Sequence, residues 1–262
     1  MKPRVAFFDF ASCEGCELQI ANLEEAVIDV TKLVDVVAFR EVMKERSDEY
    51  DIAIVEGSIA RPMDEDRIKE IRKNAKVLIA LGTCAHLGGV QRLGNQWSPK
   101  ENKQVVYPEA DAKTIADSNP FFEGPRHRAL DEIVKVDYVI PGCPINRDEF
   151  AKVLVALLTG RKPPIPDHPV CVECKKNENI CLFTIGEFCM GPVARAGCGA
   201  ICPTHGSGCE ACRGYIDHPH TKAQTDVLEK YGLTPEEIMF RKTMFTYRYV
   251  EQGKFQDAKE AD

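Results

Sequence analysis

Long apolar runs are missing. No stretch of the 262 residues approaches the roughly 18 consecutive apolar residues of a membrane span, so no integral anchor is expected. The opening residues, Met1-Lys-Pro-Arg4, lead directly into a six-residue apolar run. They show neither a signal core of about 7–15 apolar residues nor a small-residue cleavage site nor a twin arginine, and a cytoplasmic location is the expectation. Basic blocks are absent too: 34 Lys and Arg face 41 Asp and Glu, a formal charge of −7, which argues against nucleic acid as the main partner. No Gly-x-Gly-x-x-Gly follows a strand-like run, so a nucleotide, if the system uses one, binds elsewhere. Tryptophan occurs once, as Trp97.

Cysteine is plentiful, at twelve residues. The chain is too long and its cysteine density too low for a secreted disulfide scaffold, and in a reducing compartment thiols at fixed spacings read as metal ligands. Four of them, Cys13, Cys16, Cys84 and Cys143, are spread over the first 150 residues, whereas eight crowd between Cys171 and Cys212. A chain of this length with 44% hydrophobic residues can bury one full core and carry a smaller appended unit.

From Val5 to Gly160 short apolar runs alternate with amphipathic segments, the pattern of an α/β fold with a parallel sheet flanked by helices. The expected strands are Val5–Phe10, Val34–Phe39, Ile52–Val55, Val77–Leu81 and Tyr138–Ile140. Ile20, Leu23, Val27 and Val30 recur at helical spacing as a packing stripe, a helix is expected from Asp64 to about Lys73, and another carries Phe150, Val153, Leu154, Leu157 and Leu158 on its apolar face. Gly94 to Pro125 lacks periodicity and reads either as a surface loop or as a grip on a partner. Arg161–Pro169 holds four prolines in nine residues and is expected to be an extended boundary between residues 1–160 and a second domain at 170–216. From Thr221 the chain turns helical, with Val227, Leu228 and Tyr231 on one face and Thr234-Pro-Glu-Glu237 as a capped helix start. The last dozen residues are polar, and fraying is expected there.

Cys13-Glu-Gly-Cys16 follows the first strand, Cys84 the fourth and Cys143 the fifth. In a parallel sheet those turns share the carboxyl edge, where open α/β folds bind ligands, so the four thiols can converge. Taken singly, Cys84 and Cys143 read as ordinary core cysteines. The block Cys171-x2-Cys174-x6-Cys181-x7-Cys189-x8-Cys198-x3-Cys202-x6-Cys209-x2-Cys212 has too few large apolar residues to fold on burial alone, and metal would supply the difference. Four thiolates hold zinc or an iron–sulfur cluster; the outer pairs of the block have zinc spacing, while one tight pair completed by two distant singles favours a cluster.

The set Ser12-Cys-Glu-Gly-Cys16, Val55-Glu-Gly-Ser58, Gly82-Thr-Cys-Ala85, Pro141-Gly-Cys-Pro144 and Cys189-Met-Gly-Pro192 resembles the small subunit of nickel–iron hydrogenases, over about Val5 to Cys212. The first four motifs are shared with the related 20 kDa-type subunit of respiratory complex I, which carries one cluster; the eight-cysteine extension separates the two. The resemblance implies a flavodoxin-like domain with a proximal 4Fe-4S cluster on Cys13, Cys16, Cys84 and Cys143, followed by a small irregular iron–sulfur domain and C-terminal helices at 217–262. It further implies a medial 4Fe-4S cluster on Cys198, Cys202, Cys209 and Cys212 and a distal one on Cys171, Cys174, Cys181 and Cys189. Many members place a histidine at the distal cluster, and His168-x2-Cys171 has that spacing. Either His168 is a ligand and one cysteine is spare, or the site is all thiolate; the compact Cys171/Cys174 pair favours the latter. The implied partners are a large subunit holding the nickel–iron centre and a further redox subunit of nicotinamide, deazaflavin, or heterodisulfide-reductase or bifurcating type. This chain relays electrons and contributes no catalytic residue of its own in that reading. The competing expectation is an electron-transfer subunit of another complex I-related oxidoreductase.

Overall fold

The computed structural model describes residues 2–23, 30–108, 124 and 126–254. The chain divides into two compact units, Met1–Val139 and Ile140–Asp262. Among the described residues no helix is long and apolar enough to cross a membrane.

The first unit is built on strands β1 (Arg4–Asp9), β2 (Asp35–Ala38), β3 (Ile52–Glu56) and β4 (Val77–Leu81), and β5 (Tyr138–Ile140) completes a five-stranded sheet in the order β2-β1-β3-β4-β5. The pairs β1/β2, β1/β3 and β3/β4 are parallel. The sequence foresaw all five strands. This is the order in which a doubly wound sheet has its switch point between β1 and β3, with the ligand crevice outside their carboxyl ends. All five residues of β3 are buried, as a strand covered on both faces requires.

Helix α1 (Gly15–Ala21) follows β1 directly. Of the expected stripe, Ile20 and Leu23 are buried, and Val27 lies outside the described residues. After β3 comes α2 (Pro62–Asn74), which starts with Pro62 at its first turn and with the Asp64 carboxylate accepting from the Arg61 amide at 2.9 Å. It ends on Arg72 and Lys73, where cations suit the dipole. Its Ile68 and Ile71 pack into the core with Ala53, Val55, Leu78 and Leu130, and each buried isoleucine contributes about 1.5–3 kcal/mol. A short helix α3 (Gly82–Leu87) follows β4.

The segment expected to lack periodicity contains a 3-10 turn at Val90–Gln96 and a helix α4 (Pro99–Val106). Ser98 and Glu101 form a reciprocal capping box on α4, and none of the helix residues is buried. A helix held by its cap and not by a buried face shows no apolar stripe, which explains the discrepancy. Residues 109–123 of that segment lie outside the described residues.

The second unit begins with the end of β5 and the loop to α5 (Arg147–Leu158), whose Asn146 side chain caps the Glu149 amide at 2.9 Å. Phe150, Val153 and Leu154 of α5 are buried. Beyond the proline segment come α6 (Val170–Lys176), α7 (Ile201–Thr204), α8 (Thr221–Lys230), α9 (Pro235–Thr243) and α10 (Tyr247–Glu251). Val170, Leu182, Met190, Val193, Tyr215, Leu228 and Ile238 make their core, with Cys189 and Cys209 inside it. Leu228 is fully buried. Tyr231, expected on the same face, is over a third exposed and instead stacks on Phe183 at 5.0 Å between centroids. Of the last dozen residues, 255–262 lie outside the described residues.

Candidate iron–sulfur sites

Three thiols belong to the first unit. Cys13 lies in the exposed turn after β1, Cys16 is buried in the first turn of α1, and Cys84 is half-buried in the first turn of α3. Glu14 between the first two adopts a left-handed backbone at φ 60°, which turns the chain sharply enough to start α1 just after the strand. Burial raises the Cys84 thiol above its ordinary range, the Gln91 side chain pulls it back, and the nearby Glu56 and Cys13 push it up again.

The surroundings of these thiols are polar and tightly built. Glu56, at the end of β3, accepts from the amides of Cys16 at 3.3 Å and Glu17 at 2.9 Å. Burial raises the Glu56 carboxyl, and those amides oppose the rise. Glu17 is 1% exposed, its Oε1 has no hydrogen-bond partner among the described residues, and burial together with Glu56 lifts its carboxyl to about 8. Gln91 is oriented by its Nε2, which donates to the Ala11 carbonyl at 2.9 Å and to Ser58 Oγ at 3.1 Å, and Ser58 in turn meets His127 Nδ1 at 2.9 Å. His127 is held below its ordinary pKa by burial and by Arg92. Gly89, at φ +74°, leaves open a space where a methyl group would lie 2.7 Å from the Cys84 sulfur.

The second unit holds nine thiols, Cys143 in the loop after β5 and the eight from Cys171 to Cys212. Cys171 and Cys174 lie one turn apart on α6. Burial pushes the Cys171 thiol up to about 11, with Cys189, Cys174 and Cys181 adding to it through their own charge. Burial raises Cys189 likewise, and Cys174 and Cys181 add to that rise. The Cys212 thiol is pushed up to about 11 by burial and further by Cys198 and Cys202, while the Cys143 backbone amide, which donates to its sulfur, draws it down. Cys209 is driven well above its ordinary value, chiefly by burial, and its neighbours include Cys189, Cys212 and Cys198. A thiol so raised is protonated at neutral pH, and a metal that binds it must displace the proton.

Several groups in this unit are aimed at sulfur. The amides of Gly191 and Cys209 both donate to Cys189 Sγ at 3.4 Å, and Asn179 Nδ2 lies 3.6 Å from Cys174 Sγ. Such donors favour the anionic sulfur of a metal ligand over a neutral thiol. Gly191 leaves a cradle as well, since a methyl group there would sit 3.2 Å from Cys189 Sγ and 3.4 Å from Cys171 Sγ. The Glu173 carboxylate on α6 accepts from the amides of Gly197 at 2.8 Å and Ala200 at 3.1 Å, tying down the loop that carries Cys198. His168 Nδ1 lies 3.4 Å from the Pro169 carbonyl oxygen. Among the described residues no set of three or more His, Cys, Asp or Glu side chains is gathered closely enough for a single metal ion. Thiols with N–H donors directed at Cys189 and Cys174 are a donor set that suits an iron–sulfur cluster.

Sequence reasoning missed the residues around the thiols. Glu149 was legible only as an acidic residue suited to a helix start, whereas it is 6% exposed and paired at 2.8 Å with Arg213, itself 2% exposed. Glu17, Gln91 and Asn179 carried no signal beyond their closeness in sequence to a cysteine.

The family model for the NADH ubiquinone oxidoreductase 20 Kd subunit matches residues 13–157. The delta subunit of sulfhydrogenase 2 from Pyrococcus furiosus is 32% identical over 241 residues, covering 91% of this chain and 97% of its own. A subunit of the F420-non-reducing hydrogenase vhu from Methanococcus voltae is 34% identical over 240 residues, covering 82% of this chain and 83% of its own. Among solved structures, a chain of an NAD+-reducing [NiFe]-hydrogenase in the H2-reduced state superposes with a TM-score of 0.55 at 29% identity, over 63% of this chain and 96% of that one. With its motif-bearing turns on a sheet of this order, the chain belongs to the family of NADH ubiquinone oxidoreductase 20 kDa subunits and, within it, to the small subunits of nickel–iron hydrogenases.

Proposed function

We propose that this chain is the electron-transferring small subunit of a cytoplasmic nickel–iron hydrogenase and holds three 4Fe-4S clusters. The observation that carries the reading is the pair of backbone amides, of Gly191 and Cys209, directed at Cys189 Sγ within the block of eight thiols. Cys171, Cys174, Cys181 and Cys189 form the distal set and Cys198, Cys202, Cys209 and Cys212 the medial set, with His168 outside both. Cys13, Cys16, Cys84 and Cys143 are the proximal set on the strength of their motifs. Bound clusters supply one-electron carriers; the chain's own residues fix ligand geometry, exclude water and direct N–H groups at sulfur, and these tune each potential. Hydrogen is split in a partner large subunit holding the nickel–iron centre, and the electrons leave through a further redox subunit.

The native complex tests this directly. Hydrogen-dependent dye reduction, nickel in the complex and about twelve irons per chain with matching acid-labile sulfide are expected. Iron without nickel or hydrogen uptake would point instead to another complex I-related oxidoreductase, and a colourless zinc protein would end the cluster reading. The grouping has its own test. Cys189→Ala should abolish the distal paramagnetic signal and leave the proximal one; loss of the medial signal in its place would refute the assignment.

A further inference from the structure

Arg213 follows Cys212 in the sequence and is 2% exposed. Its guanidinium is spent on three separate pieces of the second unit. Nη1 donates to the Pro141 carbonyl at 2.7 Å, two residues before Cys143. Nε donates to the Ala196 carbonyl at 2.8 Å, two residues before Cys198. Nη2 lies 2.8 Å from both carboxylate oxygens of Glu149 on α5. The fork has no slack: a methyl group on Gly197, at φ +117°, would come within 2.3 Å of Nη2 and 2.5 Å of Glu149 Oε1. Beside it, the Cys143 amide donates to the Cys212 sulfur.

A buried ion pair is a poor way of holding a fold together. An apolar pair of similar volume is commonly neutral or more stable. What an apolar pair cannot do is fix carbonyl groups. The two carbonyls held here belong to the loops that bring Cys143 and Cys198 to their places, and the residue holding them is bonded to Cys212.

We propose that Arg213 is a positioning residue of the medial site: its fork pins the Pro141 and Ala196 carbonyls and so keeps the Cys143 amide on the Cys212 sulfur. This rests on the cluster assignment proposed above. An N–H directed at a ligand sulfur favours the more negative, reduced state and raises the potential of the site.

The test uses the whole complex with two variants of this chain. Arg213→Lys keeps the charge without the fork, and the pair Arg213→Met with Glu149→Leu fills the volume without charge. Iron content, the midpoint potential of each cluster by redox titration followed by electron paramagnetic resonance, and the rate of hydrogen-driven reduction of the distal site are measured. Iron is expected at the wild-type level in both variants, with the medial midpoint shifted to more negative potential, the other midpoints in place and distal reduction slower. An unchanged medial midpoint in Arg213→Lys would overturn the positioning role, because the charge alone would then suffice. Unchanged midpoints and rates in both variants, or loss of medial iron in both, would equally overturn it and leave Arg213 as a staple for folding or assembly. The wild-type complex separates the two failures: fewer than three clusters there would refute the underlying assignment whatever the variants do.

Discussion

Glu149→Leu, with Arg213 left in place, is expected to destabilise the chain by about 3–5 kcal/mol, the usual cost of stranding a buried charge by removing its partner. Arg213 is 2% exposed and Glu149 6%, so neither charge can be rescued by water where it stands. Both oxygens of the carboxylate are engaged by the same nitrogen. Without them the guanidinium would keep only the Pro141 and Ala196 carbonyls, which carry dipoles and no charge. For a chain of this size about 1 kcal/mol corresponds to about 2–4 °C in melting temperature, so a drop of roughly 6–20 °C is expected in a thermal scan. Adding Arg213→Met should restore most of the loss, because the alkyl pair has no charge to strand. A loss below about 1 kcal/mol in the single variant would show that Glu149 is not the counter-charge of Arg213. The contrast between single and double variants measures the coupling itself.

The parts of this molecule that the sequence displays are those set by local pattern. Ile52–Glu56 is legible because a strand buried on both faces needs an unbroken apolar run, and it has one. Pro62–Asn74 and Pro235–Thr243 are legible from their starts, where a proline and an acidic residue three positions beyond the cap satisfy exposed amides. Pro99–Val106 carries the same signal in Ser98-Pro-Lys-Glu101, but it buries no residue and so shows no apolar periodicity. Thiol spacing, too, is local information, and it singles out all twelve cysteines as candidate ligands. What closes around those thiols is not local. Gln91 reaches back 80 residues to Ala11, and Glu149 meets Arg213 across 64. Contacts of that range depend on how the sheet and the loops are folded, and no single-sequence pattern encodes them.

Glu17→Gln is expected to flatten the dependence of stability on pH between about 4.5 and 8. In the folded chain the Glu17 carboxyl titrates at about 8, against an ordinary value of 4.5, because it is buried and faces Glu56. Between those two values the folded state holds a proton that the unfolded chain has released. The stability associated with this group is therefore fully present below pH 4.5 and is lost as the pH rises towards 8. At about 1.4 kcal/mol per unit of difference, the loss across the window is on the order of 5 kcal/mol. Glutamine has nearly the same shape and no proton to lose, so the variant should fall behind the wild type least, or exceed it, at the alkaline end. Glu56 and Glu149 are also raised by burial and give the wild type a further decline of the same sign, so the informative quantity is the difference between the two proteins. Denaturant midpoints measured at pH 5 and pH 8 supply it. If wild type and Glu17→Gln lose the same stability between those values, the carboxyl is already ionised in the fold. The buried Oε1, without a hydrogen-bond partner among the described residues, would then need a cation or donor to hold its charge, and the crowding of acidic groups beside Cys16 would have to be relieved by a proton held on Glu56.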